Sequence, residues 1–258
     1  KMPLLEIITT EQTADWVTAT AIEAGLKQGK HIIVVNDGPG FYTTRILAPY
    51  MNEAIELLNE GAKIEHLDSA MKQFGFPVGP VALFDEVGID VGAHVADTMS
   101  DLFAERGVEA SNKGHELLDA GYKGRKNKKG FYTYEEDSKK KKEINSGIYE
   151  FFGGQNRKDF AQEEIQQRMA LTMINEAAWC LQDEILTSPE DGDLGAILGL
   201  GFPPFRGGPF RYMDSEGAET ILKRLEDLQS KHGNRFAPAD ILKEKAKDGL
   251  GFYGNIED

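Results

Sequence analysis

One carboxylate, Glu6, interrupts the apolar string Leu4-Leu-Glu-Ile-Ile8. A charge in such a place is costly unless it is paired or hydrogen-bonded. Its chemical use would be to orient and charge a histidine that accepts a proton. Spacing alone favours a plainer alternative, a solvent-facing residue on an edge strand, and His31 in the next apolar run has no reason to face it. A second candidate is the turn Asp37-Gly-Pro-Gly40, which leads into Phe41-Tyr-Thr-Thr-Arg45. Glycines let a ligand approach the backbone, and the first turn of a helix offers free N–H groups to an anion. Thr43 and Thr44 could donate there to a substrate carbonyl or carboxamide; an ordinary helix cap is the competing reading.

Other patterns point to less. Gly249-Leu-Gly-Phe-Tyr-Gly254 spells G-x-G-x-x-G, but that dinucleotide motif needs a strand before it and a helix after it. The polar residues 243–248 precede it, and Lys129-Gly-Phe-Tyr-Thr133 repeats its core, so both strings read as structural turns. Lys123, Arg125, Lys126, Lys128 and Lys129 form a basic loop that suits either a CoA phosphate or plain solvation. The five histidines lack the close spacing of a helical zinc pair, and Cys180 is the one cysteine, so no metal site is expected. Cys180 lies in an apolar helical stretch and reads as a buried thiol.

The elements that must carry these residues change along the chain. Residues 4–8 and 31–35 read as buried strands, with a helix over 11–28 ended by Gly29. That is β-α-β, the unit of a parallel sheet, and two such strands need further cover on faces and edges. Residues 1–36 are therefore predicted to be the tail of a doubly wound domain. After Gly40 the chain reads as helical. Ile46, Leu47, Tyr50, Ala54, Leu57 and Leu58 fall on one helix face, and Met169, Met173, Ala177, Cys180 and Leu181 on another; both stripes read as core.

The helical part repeats itself. Asn52-Glu-Ala54 recurs 123 residues later as Asn175-Glu-Ala177, Gly75-Phe-Pro77 recurs 126 later as Gly201-Phe-Pro203, and Gly79-Pro80 and Asp85 recur 129 later as Gly208-Pro209 and Asp214. Gly130-Phe-Tyr132 recurs 121 later as Gly251-Phe-Tyr253. Matches kept in order with nearly constant offset predict two copies of one helical unit, roughly 41–135 and 165–254. The polar stretch between them, with a lysine run at 139–142, reads as a linker.

Composition bounds the function. The formal net charge is -14, which argues against nonspecific nucleic-acid binding. With 258 residues, 40% of them hydrophobic, the chain can build more than one core. No run approaches the roughly 18 apolar residues of a membrane span. No signal or transit peptide is visible, and the opening at Lys1 reads as a cut from something longer.

Taken together, Leu4-Leu-Glu-Ile-Ile-Thr-Thr10, Asp37-Gly-Pro-Gly-Phe-Tyr-Thr-Thr-Arg45, Phe74-Gly-Phe-Pro-Val-Gly79 and Gly199-Leu-Gly-Phe-Pro-Pro204 resemble the 3-hydroxyacyl-CoA dehydrogenases of the mitochondrial trifunctional-enzyme alpha type, over essentially the whole chain. The resemblance implies a mainly α fold: two copies of the helical C-terminal unit of that family, at 37–135 and 165–258 around a linker at 136–164. They follow the β-α-β tail, 1–36, of a truncated NAD-binding Rossmann domain. It implies NAD-dependent oxidation of L-3-hydroxyacyl-CoA to 3-ketoacyl-CoA in fatty-acid β-oxidation, with an enoyl-CoA hydratase domain upstream. Glu6 resembles the family glutamate that pairs with the catalytic histidine; that histidine, the glycine-rich NAD loop and a strand-end serine would lie before Lys1. The family often has asparagine where Thr44 stands. Further implied are an acyl-CoA substrate, a homodimer, a thiolase beta subunit as partner, membrane association of the full complex and a mitochondrial location. The fragment alone is expected to be inactive. A different class of function, a non-catalytic helical module for dimerisation or thiolase docking, is the alternative.

Overall fold

The computed structural model describes residues 2–109, 111–134 and 143–254; the lysine run at 139–142 lies outside them. The chain is mainly helical and divides into two compact units. Residues up to Leu47 join those from Leu171 onward in one, and Ala48–Ala170 form the other.

The first unit opens with β1 (Leu4–Thr9), α1 (Asp15–Lys27) and β2 (His31–Asn36), followed by the start of α2 (Thr43–Asn59). β1 and β2 pair in parallel with Glu6 opposite Ile33, as the β-α-β pattern requires. The helix expected from residue 11 begins only at Asp15. Thr10 and Thr13 close a turn first: Thr10 N–H donates to Thr13 Oγ1 at 2.9 Å and Thr13 N–H to Thr10 O at 2.9 Å. Threonine hydroxyls that bond nearby backbone compete with helix in this way. Alternation along β1 then sorts its side chains. Leu5 faces α1, where a side chain at Gly25 would stand 2.9 Å from Leu5 Cδ2.

The second unit continues α2 and adds α3 (Ile64–Phe74), α4 (Pro80–Val87), α5 (Ile89–Glu105), α6 (Lys113–Asp119), and a short antiparallel pair, β3 (Tyr132–Thr133) with β4 (Glu143–Ile144). It closes with the first part of α7 (Gln162–Gln182). The rest of α7 returns to the first unit, with α8 (Pro189–Leu200), α9 (Pro209–Glu216), α10 (Ala218–His232) and α11 (Asp240–Asp248). Compactness thus cuts the chain inside α2 and α7, at places other than the ends of the repeat. The predicted stripes are core: Ile46, Tyr50, Ala54, Leu57, Leu58, Met169, Met173, Ala177 and Cys180 are buried, with Leu47 and Leu181 half-buried.

The repeated residues carry a repeated polar clamp. In the second unit Asp68 accepts from Val81 N–H (2.7 Å) and Tyr132 Oη (2.6 Å), and Asp85 from Phe131 N–H (2.9 Å), Tyr132 N–H (2.8 Å) and Tyr134 Oη (2.9 Å). In the first unit Asp193 accepts from Phe210 N–H (2.7 Å), Arg211 N–H (3.1 Å) and Tyr253 Oη (2.7 Å), and Asp214 from Phe252 N–H (2.7 Å) and Tyr253 N–H (3.0 Å). Each copy therefore fastens a helix start and its closing Gly-Phe-Tyr turn with two aspartates. The recurrent glycines make room for them. A Cβ at Gly79 or Gly208 would collide with Asp68 or Asp193, and one at Gly130 with Asp85.

Candidate active site

Glu6 is the third of six residues in β1, in mid-strand rather than at the strand's end. It lies on the same face as Leu4 and is half-buried. Its Oε1 accepts from Tyr42 N–H at 2.8 Å and Thr43 N–H at 3.4 Å, and its Oε2 accepts from the Thr43 hydroxyl at 2.8 Å. Glu6 is not a solvent-facing edge residue: it is the carboxylate that meets the positive N-terminal end of α2 and satisfies N–H groups there.

The turn before α2 aims those groups. Gly40 (φ 73) and Phe41 (φ 49) are left-handed in succession, a conformation that strains an aromatic residue and persists only where its surroundings hold it. Asp37 N–H donates to Thr9 O at 2.9 Å, and Asn36 N–H to Ile185 O at 3.0 Å, which tie the turn to β1 and to the chain after α7. Tyr42 is fully buried, and its hydroxyl donates to Gly192 O at 2.9 Å. Thr43 and Thr44, read from the sequence as substrate contacts, part ways here. Thr43 turns its hydroxyl to Glu6. Thr44 is half-buried, and its hydroxyl makes no hydrogen bond among the described residues.

No histidine hydrogen-bonds Glu6 among the described residues; His31 is exposed and pairs in register with Leu4. A dinucleotide does not fit Gly249–Gly254. The N–H groups of Phe252 and Tyr253 are taken by the Asp214 carboxylate, which would repel a pyrophosphate, and α11 rather than a strand leads into the turn. The β1–α1 connection, Thr10-Glu-Gln-Thr13, carries no glycine either. In the basic loop Lys126 pairs with Asp90 at 2.5 Å, Arg125 lies 3.8 Å from Glu86, and Lys129 donates to Ala120 O and covers the Tyr122 ring. Those cations are drawn to nearby acids, a carbonyl and a ring, which favours the solvated reading of the loop. No metal-binding cluster occurs among the described residues, nor any helix long and apolar enough to cross a membrane.

The sequence reading missed the buried ion pairs. Arg45 binds Glu176 at 2.8 Å and also Asp183, within the first unit. Arg168 binds Glu53 at 2.6 Å and Glu60 through two nitrogens, at 2.7 and 2.6 Å, within the second. Burial pulls the Arg168 guanidinium down, but Glu60 and Glu53 more than offset it and hold it above the usual arginine range. The signal was available: Arg45 and Arg168, Glu53 and Glu176, and Glu60 and Asp183 all stand 123 residues apart, the same offset as Asn52-Glu-Ala54 and Asn175-Glu-Ala177.

Comparison with known proteins agrees with the duplicated helical unit. The family described as 3-hydroxyacyl-CoA dehydrogenase, C-terminal domain, matches twice, over residues 40–134 and 165–252. The fatty acid oxidation complex subunit alpha of Idiomarina loihiensis is 51% identical over 253 residues, and that of Shewanella amazonensis 49%. Each alignment covers 98% of this chain, which spans 36% of the length of these curated relatives. The crystal structure of 3-hydroxybutyryl-CoA dehydrogenase from Escherichia coli K12 superimposes with a TM-score of 0.79 at 25% identity, covering 96% of this chain and 68% of that one. The dehydrogenase part of multifunctional enzyme 1 from C. elegans gives a TM-score of 0.67 at 27% identity, covering 94% and 56%.

Proposed function

The chain belongs to the 3-hydroxyacyl-CoA dehydrogenase C-terminal family, and from that membership we propose that it is part of an L-3-hydroxyacyl-CoA dehydrogenase of fatty-acid β-oxidation. The complete polypeptide would oxidise 3-hydroxyacyl-CoA to 3-ketoacyl-CoA with NAD, as part of a multifunctional alpha subunit that also carries an enoyl-CoA hydratase. The carrying observation is the Glu6 carboxylate, held by Tyr42 and Thr43 with acceptor capacity left on Oε2. A carboxylate so held can take a histidine N–H, fix the ring's tautomer and raise its proton affinity, which suits a base working near neutral pH. The histidine and the dinucleotide contacts are assigned to parts of the protein beyond these residues.

The test is Glu6→Gln in the complete polypeptide, followed by NADH formation from an L-3-hydroxyacyl-CoA. A fall in kcat of about a hundredfold or more is expected, the scale of a general-base contribution. Full rate in the variant would end the assignment. The 258-residue chain alone is expected to form no NADH, and any turnover would place the base within it.

The partners are proposals as well: a second copy, a thiolase beta subunit and, for the full complex, a membrane. Phe205, 74% exposed beside Arg206, favours an association surface in the second helical unit, since aromatic residues and arginine are enriched at protein interfaces. Phe205→Ser should weaken association in size-exclusion chromatography if that surface is used. A mitochondrial type and location rest on the resemblance at Phe41–Arg45 and in the second repeat, whereas the two fatty acid oxidation complex alpha subunits named above are bacterial; cell fractionation of the complete protein decides between them.

A further inference from the structure

We infer that Thr43 is a positioning residue for Glu6, and that Gly199 of α8 is the seat that holds Thr43 in place. The inference rests on the reading of Glu6 as the partner of a catalytic histidine. The Thr43 side chain is divided between two tasks. Its hydroxyl donates to Glu6 Oε2 at 2.8 Å, while its own N–H and that of Tyr42 reach Oε1. Both oxygens are thereby engaged, which fixes the carboxylate's torsion as well as its position. A carboxylate that orients a base must be held to a fraction of an ångström, because small misplacements are costly in rate.

The methyl group does the second task. α8 packs against β1 and β2, and at Gly199 an added Cβ would stand 3.1 Å from Thr43 Cγ2 and 2.8 Å from Leu4 Cδ2. Gly199 is the next-to-last residue of α8, ahead of the Gly201 C-cap, and the Thr43 methyl and Leu4 occupy the space that a side chain there would need. One turn earlier Gly195 plays the same part, where a Cβ would stand 3.0 Å from the Tyr42 ring and 2.9 Å from Ile33 Cδ1. The threonine rotamer that points its hydroxyl at Glu6 is thus the one whose methyl group fits over Gly199. Valine would keep the shape and lose the donor; serine would keep the donor and lose the shape.

The test uses the complete polypeptide with Thr43→Val, Thr43→Ser, Gly199→Ala and Glu6→Gln, each followed by steady-state kinetics and a thermal midpoint. Thr43→Val should lower kcat by about tenfold with KM within about twofold, and Thr43→Ser, which keeps the donor without the seated methyl, should fall between that variant and the parent. Gly199→Ala should lower kcat in the same way by crowding the methyl. Equal rates for the valine variant and the parent, or a loss that serine does not restore and that follows the thermal midpoint, would overturn the inference. If Thr43→Val does not fold, Gly199→Ala decides alone: a folded variant with parental kcat overturns it. Glu6→Gln separates the two levels. An inactive Glu6→Gln beside an unimpaired Thr43→Val sinks the positioning role alone, whereas an active Glu6→Gln sinks the reading of Glu6 and the positioning role with it.

Discussion

α3 and α8 hold the same place in the two copies, and each carries the aspartate, Asp68 or Asp193, that fastens the next helix start and a tyrosine hydroxyl. Around that aspartate they diverge. α3 buries Ile64, Leu67, Ala70, Met71 and Phe74. α8 instead presents Gly192, Gly195 and Gly199, whose missing side chains leave room for Phe210, Tyr42 with Ile33, and Thr43 with Leu4. Every glycine costs helix stability, and burial of the side chains that fill those places offsets it. The polar clamp is common to both copies; the packing face is not. The two copies share their fasteners, while α8 also supports the strand pair and the turn that caps Glu6.

The largest effects should come from the fasteners. Arg168→Ala would leave Glu53, fully buried, without its guanidinium, a loss of roughly 3–5 kcal/mol by urea unfolding. Arg45→Ala removes the equivalent cation from a carboxylate pair of matching exposure, Glu176 buried like Glu53 and Asp183 one-third exposed like Glu60, so a loss of similar size is expected. Unequal losses would mean that the two ion-pair sets differ energetically despite their matching exposure. Next in size are the second aspartates. Asp85→Ala removes the acceptor of two buried N–H groups and of the Tyr134 hydroxyl, about 3 kcal/mol or more. Asp214 is half-buried and serves two N–H groups, so Asp214→Ala should cost about 1–2 kcal/mol. A reversed order would show that the first unit depends on its clamp more than the second does.

The first aspartates respond to pH. Burial raises the Asp193 carboxyl, against the hydrogen bonds from Tyr253, Phe210 and Arg211, up to about 6; burial also moves the Asp68 carboxyl upward, against the hydrogen bonds from Tyr132, Val81 and Ala82. A carboxyl that is harder to ionise in the folded state than in the unfolded one is stabilising when protonated. Between about pH 4 and 6 the folded chain binds more protons than the unfolded chain, so this contribution falls as pH rises. Asp193→Asn should flatten that part of a stability–pH curve measured by urea unfolding; an unchanged slope would assign it to Asp68.

Much of this is legible in the sequence. Short apolar runs placed β1 and β2, a period of 3.6 placed the buried stripes of α2 and α7, and the internal repeat marked the glycines whose space the aspartates fill. Glu6 was singled out because a lone carboxylate in an apolar strand needs a partner, but the partner supplied by the fold is a helix start 36 residues on, and no local pattern encodes a contact at that distance. Thr43 was given to the substrate because its spacing from the turn says where a side chain lies on a helix and not which way its hydroxyl turns. The start of α1 was missed for a local reason: Thr10 and Thr13 satisfy each other outside the helix.

The smallest expected effect lies on the helices that open the two copies. Tyr50 in α2 is 123 residues before Met173 in α7, and both are buried. The methionine brings no donor into the core. The Tyr50 hydroxyl has no hydrogen-bond partner among the described residues, although its ring packs 5.2 Å from that of Phe76. A buried hydroxyl without a partner costs about 1–3 kcal/mol of desolvation, so Tyr50→Phe, which keeps the ring and deletes the hydroxyl, should be neutral or stabilising by up to about 1 kcal/mol in urea unfolding. Such a result would make the two helices equivalent in an apolar core. A loss of 1 kcal/mol or more would mean that a buried water bonds the hydroxyl, and the first copy would then hold a polar site where the second has only a thioether.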